Sequence, residues 1–183
     1  MALTATIYKV SLSVADMDRS YFHAHALTVA RHPSETEERV AVRLLAFALH
    51  AHERLEFGKG LSADDEPALW LKELTGEIKL WIDVGQPEEK RLRKACGRAN
   101  QVIVYSYGGR SADLWWQQNQ ALLADRRNLS VYAVPPSATS AVAQMIQRTI
   151  TLHVTVQEET VWINDGKQSV EVTLSKHLTA STN

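Results

Sequence analysis

The sequence predicts a mixed α/β core with an antiparallel β extension formed by strands from both ends of the chain. Between residues 68 and 149, strand-like and helix-like segments alternate, which is the pattern of βαβ units with parallel strands. After residue 149 the segments become short strands of alternating polarity, and residues 7–14 have the same character. The length of 183 residues fits one ordinary domain, so we expect a single domain over residues 1–183.

The composition narrows the possible partners and the cellular compartment. The chain has 20 Lys and Arg residues against 21 Asp and Glu residues, for a net charge of -1, so binding to nucleic acid would require a local basic patch. The single cysteine, Cys96, excludes an intramolecular disulfide and a multi-cysteine zinc site. Because the sequence has neither an export signal nor 18 consecutive apolar residues, we expect a cytoplasmic protein without a membrane partner.

The N-terminal region contains one clear strand and one ambiguous segment. In residues 7–14 the even positions are apolar, which predicts a half-buried strand. Residues 20–31 fit either a second extended segment or an irregular crossover. Structural or surface roles are favoured for the histidines, but His23 and His25 would share a face if extended, so a metal-binding pair stays open there.

A strong helix signal follows at residue 34. Ser34 is a good N-cap residue and Glu37 lies three residues later, which is the spacing of a capping box. The helix is expected to continue to about Glu53. Val42 belongs to its apolar stripe, and Glu38 lies one turn before Val42, so we expect the Glu38 carboxylate to point toward the core.

The central region predicts alternating strands and helices. Two short strands should flank Thr75-Gly76, followed by a helix that has Pro87 at its first position and Glu88 and Glu89 in its first turn. The remaining segments are predicted as strands at 101–107, 129–135, 151–157, 160–164 and 168–174, and as helices at 111–126 and 137–149.

Carboxylates near the central strands predict a metal site. Asp83 is embedded in LWIDVG at the carboxyl end of a core strand, where a charge is costly unless it is paired or metal-bound and where ligands bind in open α/β sheets. Glu38 and the acids Asp64, Asp65 and Glu66 could converge on it. Oxygen-rich sites suit Mg²⁺ or Mn²⁺, which orient a phosphate and activate water.

One helix contains a dense basic segment. Arg91, Lys94 and Arg98 lie on a single helical face, which suits either contact with phosphates or a solvated surface paired with acids. Gly108-Gly109-Arg110 lies between a strand and a helix, where backbone N–H groups can hold an anion. It lacks the spacing of known nucleotide-binding loops, so its signal is weak.

Four blocks of the sequence resemble the YaeQ family of small bacterial proteins: RHPSETEERVAVRLLAFALHAHERLEFGKGL, DDEP with the tryptophan that follows, LWIDVGQP with its basic helix, and YGGRSADLWWQQN. They occur in the same order and cover nearly the whole chain. The resemblance implies a restriction-endonuclease-like mixed β-sheet core with flanking helices, similar to the PD-(D/E)xK nucleases. That core agrees with the order of helix, two strands, helix and strand predicted above.

Within this resemblance, the acids of the nuclease site match only in part. The helix acid of the superfamily matches Glu38, with Glu35 as the alternative. The "PD" pair falls on Pro67-Ala68, so its aspartate is missing, although Asp65 and Glu66 lie just upstream.

The third motif is also incomplete. The (D/E)xK element falls on Asp83-Val84-Gly85, so the acid is present and the lysine is absent. Lys72 on the neighbouring strand, or Lys90 and Arg91 on the following helix, would then supply the cation.

Two functions follow as hypotheses. The first is a Mg²⁺- or Mn²⁺-dependent nuclease-like phosphodiesterase, with Glu38, Asp65, Glu66 and Asp83 as metal ligands, Lys72 or Lys90 assisting, and Arg91, Lys94, Arg98 and Arg110 contacting DNA or RNA. The second is a catalytically inactive nuclease-fold adaptor that binds nucleic acid or a protein partner, in which Asp83 pairs with a nearby lysine or arginine. One of Trp115 and Trp116 could be exposed as a stacking or partner surface, but an amphipathic residue that covers the sheet edge is favoured.

Overall fold

A computed structural model describes residues 4–59 and 65–181. Within these residues the four helices are Glu37–Leu49 (α1), Glu89–Arg98 (α2), Arg110–Leu123 (α3) and Pro136–Met145 (α4). The first strands along the chain are Thr6–Asp16 (β1), Tyr21–Arg31 (β2), Leu55–Phe57 (β3), Leu69–Lys72 (β4), Ile78–Val84 (β5), Ala99–Ser106 (β6) and Leu129–Ala133 (β7). The last strands are Thr149–Gln157 (β8), Thr160–Asn164 (β9), Ser169–Thr173 (β10) and Ser175–Leu178 (β11).

The strands form two mixed sheets, which confirms the α/β class. The central sheet has the order β11-β7-β6-β5-β4-β3, and β5, β6 and β7 are its parallel strands. The terminal sheet has the order β10-β9-β8-β1-β2. Strands from both ends of the chain meet in the terminal sheet, as predicted.

The prediction of a purely antiparallel extension is wrong, because β1 pairs in parallel with β8. Parallel neighbours need a long crossover connection. Strands β3 to β7 of the central sheet and helices α1 to α4 lie between β1 and β8 along the chain. The segment predicted as one strand at 168–174 also ends early. After Thr173 the chain leaves the terminal sheet, and β11 then pairs with β7 of the central sheet.

Helix α1 lies between the two sheets. It contacts β1 of the terminal sheet and β4 and β5 of the central sheet, and every residue from Val40 to Ala48 is buried. A helix that is buried on nearly all sides has no single inward stripe. The spacing between Val42 and Glu38 therefore does not predict which way the Glu38 side chain points.

The predicted bounds of two helices need correction. The N-cap of α1 is Thr36, whose hydroxyl accepts a hydrogen bond from the Arg39 N–H at 3.2 Å, whereas Ser34 bonds to His32 instead. The helix ends at Leu49, and residues 55–57 form β3. Helix α2 begins at Glu89, so Pro87 lies before its N-cap and not at its first position.

None of the helices in the described parts of the chain is long and apolar enough to cross a membrane.

Candidate functional site

The site is built where β5 ends and α2 packs against the central sheet. Trp81 and Asp83 of β5 are buried on the face that α2 covers, together with Leu92 and Ala95 of α2. This apolar stripe holds α2 against the sheet, so Lys90 and Lys94 are exposed, whereas Arg91 is half-buried at the edge of the contact. The sequence therefore places a cationic helix face beside the end of a core strand.

Both carboxylate oxygens of Asp83 are hydrogen-bonded. Arg91 binds this carboxylate in a bidentate manner, with Nη2 at 2.9 Å from Oδ1 and Nε at 3.0 Å from Oδ2. The indole N–H of Trp81 donates to Oδ2 at 3.0 Å. A carboxylate that is only 4% exposed is thus compensated by a guanidinium and a neutral donor.

The same helix face binds the segment before β4. Arg91 Nη2 also donates to the Glu66 carbonyl at 2.7 Å, and Arg98 donates to the Asp65 carbonyl at 3.1 Å. Lys94 forms an ion pair with the Asp65 carboxylate. The hydrogen bond and charge of Lys94 lower the pKa of Asp65 below its usual value.

A groove of about 440 Å³ opens along this contact. The described residues that line it are Asp65, Glu88, Lys90, Arg91 and Lys94. Lys90 forms no hydrogen bond or ion pair with any other residue that the structure describes, and it is exposed. Among the residues that the structure describes, the groove therefore offers an unpaired ammonium group beside the Arg91 guanidinium.

The structure does not bring Glu38 and Asp83 together. Helix α1 packs on the face of β5 that carries Leu80, Ile82 and Val84, whereas Asp83 lies on the opposite face. Glu38 itself is exposed. The expectation that its carboxylate points toward the core is therefore wrong.

Lys72 and Arg110 also lie apart from the groove. Lys72 pairs with Ile78 at the start of β5, about 16 Å along the strand from Asp83, and its ammonium group lies 3.9 Å from the Trp70 ring centre. Arg110 is the exposed first residue of α3 and is not among the described residues lining the groove.

The described residues do not fit the expected Mg²⁺ or Mn²⁺ centre. Nowhere in residues 4–59 and 65–181 do three His, Cys, Asp or Glu side chains lie close enough together to hold a metal ion. The oxygens of Asp83 are already bonded to Arg91 and Trp81. Asp64, one of the predicted acids, lies outside the described residues.

A second buried acid, Glu35, lies near the same strand end on the other face. Its carboxylate pairs with Arg43 at 2.9 Å and with Arg39 at 3.3 Å. Arg39 also donates to the Val84 carbonyl at 2.9 Å, which ties this network to β5. Burial lowers the pKa of Arg43, and the neighbouring Glu35 charge opposes that shift.

Sequence reasoning missed a cavity of about 460 Å³ whose lining residues come from both sheets. On its wall, the Tyr105 hydroxyl and His50 Nε2 share a hydrogen bond of 2.6 Å. Burial lowers the pKa of His50 to about 4 and raises that of Tyr105. These residues are 55 positions apart, so no local motif could have revealed the pair.

Trp115 and Trp116 both pack against the rest of the protein. Trp115 is buried, and its indole N–H donates to the Pro87 carbonyl at 2.8 Å. Trp116 is half-buried and stacks on His177 with ring centres 5.1 Å apart. Because His177 belongs to the edge strand β11, Trp116 covers this sheet edge, which agrees with the favoured expectation for these tryptophans.

Fold and groove together define an α/β protein of two mixed sheets with a cationic helix face at the end of a parallel strand. The family model described as YaeQ protein matches residues 1–174. The chain belongs to the YaeQ family.

Similar proteins match over nearly their whole length. The chain is 47% identical to "Uncharacterized protein YaeQ" of Escherichia coli (strain K12), over 96% of this chain and 97% of that protein. The crystal structure of YaeQ protein from Xanthomonas axonopodis pv. citri superposes with a TM-score of 0.94 at 46% identity, covering 97% of this chain and all of that one. The YaeQ structure from Pseudomonas syringae gives 0.92 at 38% identity, covering 96% and 97% of the two chains.

Proposed function

We propose that this YaeQ-family chain binds nucleic acid through the groove between α2 and residues 65–66, on a core of the restriction-endonuclease-like type. The order α1, β3, β4, β5, α2, β6 supports that core, because it contains the helix, two strands, helix and strand that the PD-(D/E)xK resemblance implies, with the three-residue strand β3 added after the first helix. Fold alone does not define activity, so the proposal rests on the groove.

The observation that carries the proposal is the contrast between two ion pairs in the groove. The side chains of Asp83 and Arg91 are 5% and 28% exposed, whereas those of Asp65 and Lys94 are 75% and 63% exposed. An exposed pair contributes little to stability and its partners can be exchanged. A phosphate oxygen can therefore replace the Asp65 carboxylate on Lys94, while the Asp83–Arg91 pair stays in place.

In this account Asp83 is a positioning residue for Arg91. The bidentate pair fixes the plane of the guanidinium at the edge of the groove. With Arg91 fixed, Lys90 and Lys94 supply point charges along the helix face, which suits the repeated charges of a phosphodiester backbone.

Fluorescence anisotropy with labelled single-stranded DNA and RNA, in EDTA, tests the proposal. Lys90→Glu/Lys94→Glu should weaken binding at least about tenfold and lower the salt slope by about one for each lost phosphate contact. Lys167→Glu, the same substitution at one exposed lysine of the β9–β10 turn, is the control for each lysine of the pair and should leave binding nearly unchanged. Equal affinity of the wild type and the double variant would overturn the proposal.

A metal-dependent phosphodiesterase acting on nucleic acid is the second candidate. It is favoured by the position of Asp83, which is a buried acid near the carboxyl end of a parallel strand. Arg91 bonds to both Asp83 and the Glu66 carbonyl, and so links this acid to the segment before β4. Cleavage of a labelled oligonucleotide that needs Mg²⁺ or Mn²⁺ and is lost in both Glu38→Gln and Asp83→Asn would establish this function. Binding of the oligonucleotide without cleavage would support the first proposal, in which the groove binds nucleic acid without a metal ion.

A further inference from the structure

Strand β2 is unlike the other sheet edges in the described parts of the chain. It spans eleven residues, and its register with β1 is continuous from Tyr21 to Arg31. The edges β3 and β11 have only three and four residues, and β11 has an irregular register. The edge β10 has five residues, carries Glu171 and packs on α4.

The backbone of β2 presents unpaired hydrogen-bonding groups on its outer side. The N–H of Lys9 donates to the Arg148 carbonyl, on the side of β1 away from β2. Its register partner, Thr28, therefore belongs to a non-hydrogen-bonded pair, and every second residue of β2 directs its N–H and C=O away from β1. The Ala30 carbonyl agrees with this phase, since it accepts a hydrogen bond from Arg43 at 3.1 Å.

The usual protections of an exposed edge are missing on β2. It has no proline and no bulge, and no Asp, Glu, Lys or Arg lies between residues 21 and 30. Phe22 is 61% exposed, and Ala24, Ala26 and Thr28 are exposed beside it. Long, flat and uncharged edges pair readily with another strand.

We propose that β2 pairs antiparallel with β2 of a second copy of this chain, about a two-fold axis at His25. In this register Ala24 lies opposite Ala26 of the second copy, and Phe22 lies opposite Thr28. These are the residues whose backbone groups point outward, so each edge supplies the donors and acceptors that the other needs. The result is one continuous sheet of ten strands, twice the five strands of each terminal sheet.

Two further observations favour β2 of a second copy as the strand that pairs with this edge in the register given above. Ala30 lies outside the four paired positions, so its carbonyl keeps the hydrogen bond from Arg43. The charged residues that approach each other at the two ends are Arg31 and Arg19. Each is already neutralised within its own chain, Arg31 by Glu37 and Arg19 by Asp16.

Sedimentation equilibrium of the full chain tests the proposal. Ala26→Pro removes an outward N–H without removing a bond to β1, and Ala26→Lys adds the charge that natural edges use against pairing. Ser11→Lys is the matched control, because Ser11 is the register partner of Ala26 one strand further in and is exposed. The wild type and Ser11→Lys should be dimers, and both Ala26 variants should be monomers with unchanged circular dichroism.

A monomeric wild type, or a dimer that persists in Ala26→Lys, would overturn the proposal. The register is tested by spin labels at Thr28→Cys in a Cys96→Ala background. The two labelled Cα atoms should lie about 20 Å apart, the length of six strand residues. A much longer separation would show that the dimer uses another surface.

Discussion

Two buried acids, Glu35 and Asp83, flank the end of β5 on opposite faces of the central sheet, and each is neutralised by arginine. Around Glu35, the Arg43 side chain is 2% exposed and Arg39 is 16% exposed. Around Asp83, the Arg91 side chain is 28% exposed and lines an open groove. The same acid–arginine chemistry thus forms a buried structural ion-pair network around Glu35 on one face, and a partly exposed arginine that a ligand can reach beside Asp83 on the other.

The largest expected effect is in the closed network. Arg43→Met leaves the Glu35 carboxylate without its most buried partner, and breaking a buried pair in this way costs about 3–5 kcal/mol. Urea unfolding should show a fall in the free energy of unfolding of that size, partly recovered in Arg43→Met/Glu35→Gln. A fall of less than about 1 kcal/mol in the free energy of unfolding would be typical of a surface ion pair. It would contradict the conclusion that the Glu35–Arg43 pair is a buried structural pair.

The buried His50 side chain extends the comparison to a group whose charge is suppressed by burial. Burial holds the pKa of His50 at about 4 against its ordinary 6.5, so His50 is neutral in the folded chain and takes up a proton more readily when unfolded. The resulting stability is present above pH 6.5 and is lost as the pH falls toward 4, by up to about 3 kcal/mol.

Thermal unfolding between pH 7 and pH 4.5 measures this effect. The melting temperature of the wild type should fall more steeply than that of His50→Gln, which cannot be protonated and keeps an acceptor for the Tyr105 hydroxyl. Parallel curves for the two proteins would show that His50 is not held neutral by the fold.

Loss of the Asp83 carboxylate should destabilise the protein less than loss of Arg43. Asp83→Asn removes the negative charge that faces Arg91 but keeps an oxygen acceptor, and water can reach the guanidinium. We therefore expect the free energy of unfolding to fall by about 2 kcal/mol. Oligonucleotide affinity should also fall, because Arg91 is no longer fixed. A destabilisation as large as that of Arg43→Met would remove the distinction between the two networks.

The smallest structural effect is expected at the exposed pair. Asp65→Asn frees Lys94 from its carboxylate, so affinity for labelled oligonucleotide should rise several-fold. The melting temperature should stay unchanged, because both side chains are largely exposed. Unchanged affinity would show that Asp65 does not compete with phosphate for Lys94.

The sequence predicted the α/β core because its strands and helices have clear periods and turn signals. It left β2 ambiguous, since alternating alanine and histidine give little contrast between faces. It predicted correctly that Asp83 would lie near a strand end. Pairing of Asp83 with a nearby lysine or arginine was one of two alternatives left open beside a metal site, and the structure shows that the partner is Arg91. The sequence could not select this arginine, because the pair depends on the packing angle of α2.

The error at Glu38 has a different physical cause. A helical stripe predicts direction only for a helix with one buried side, and α1 is buried on nearly all sides between two sheets. The acid that the fold buries is Glu35, which lies before the first residue of the helix. No helical period applies to a residue at that position.

The most direct test of the account is a calorimetric titration of Mn²⁺ into the wild type and Asp83→Ala, because the account makes Asp83 the partner of Arg91 and not a metal ligand. It predicts no binding heat above dilution in either protein. Binding in the wild type that disappears in Asp83→Ala would contradict it, and would show that Asp83 exchanges Arg91 for a metal ion as the phosphodiesterase hypothesis requires.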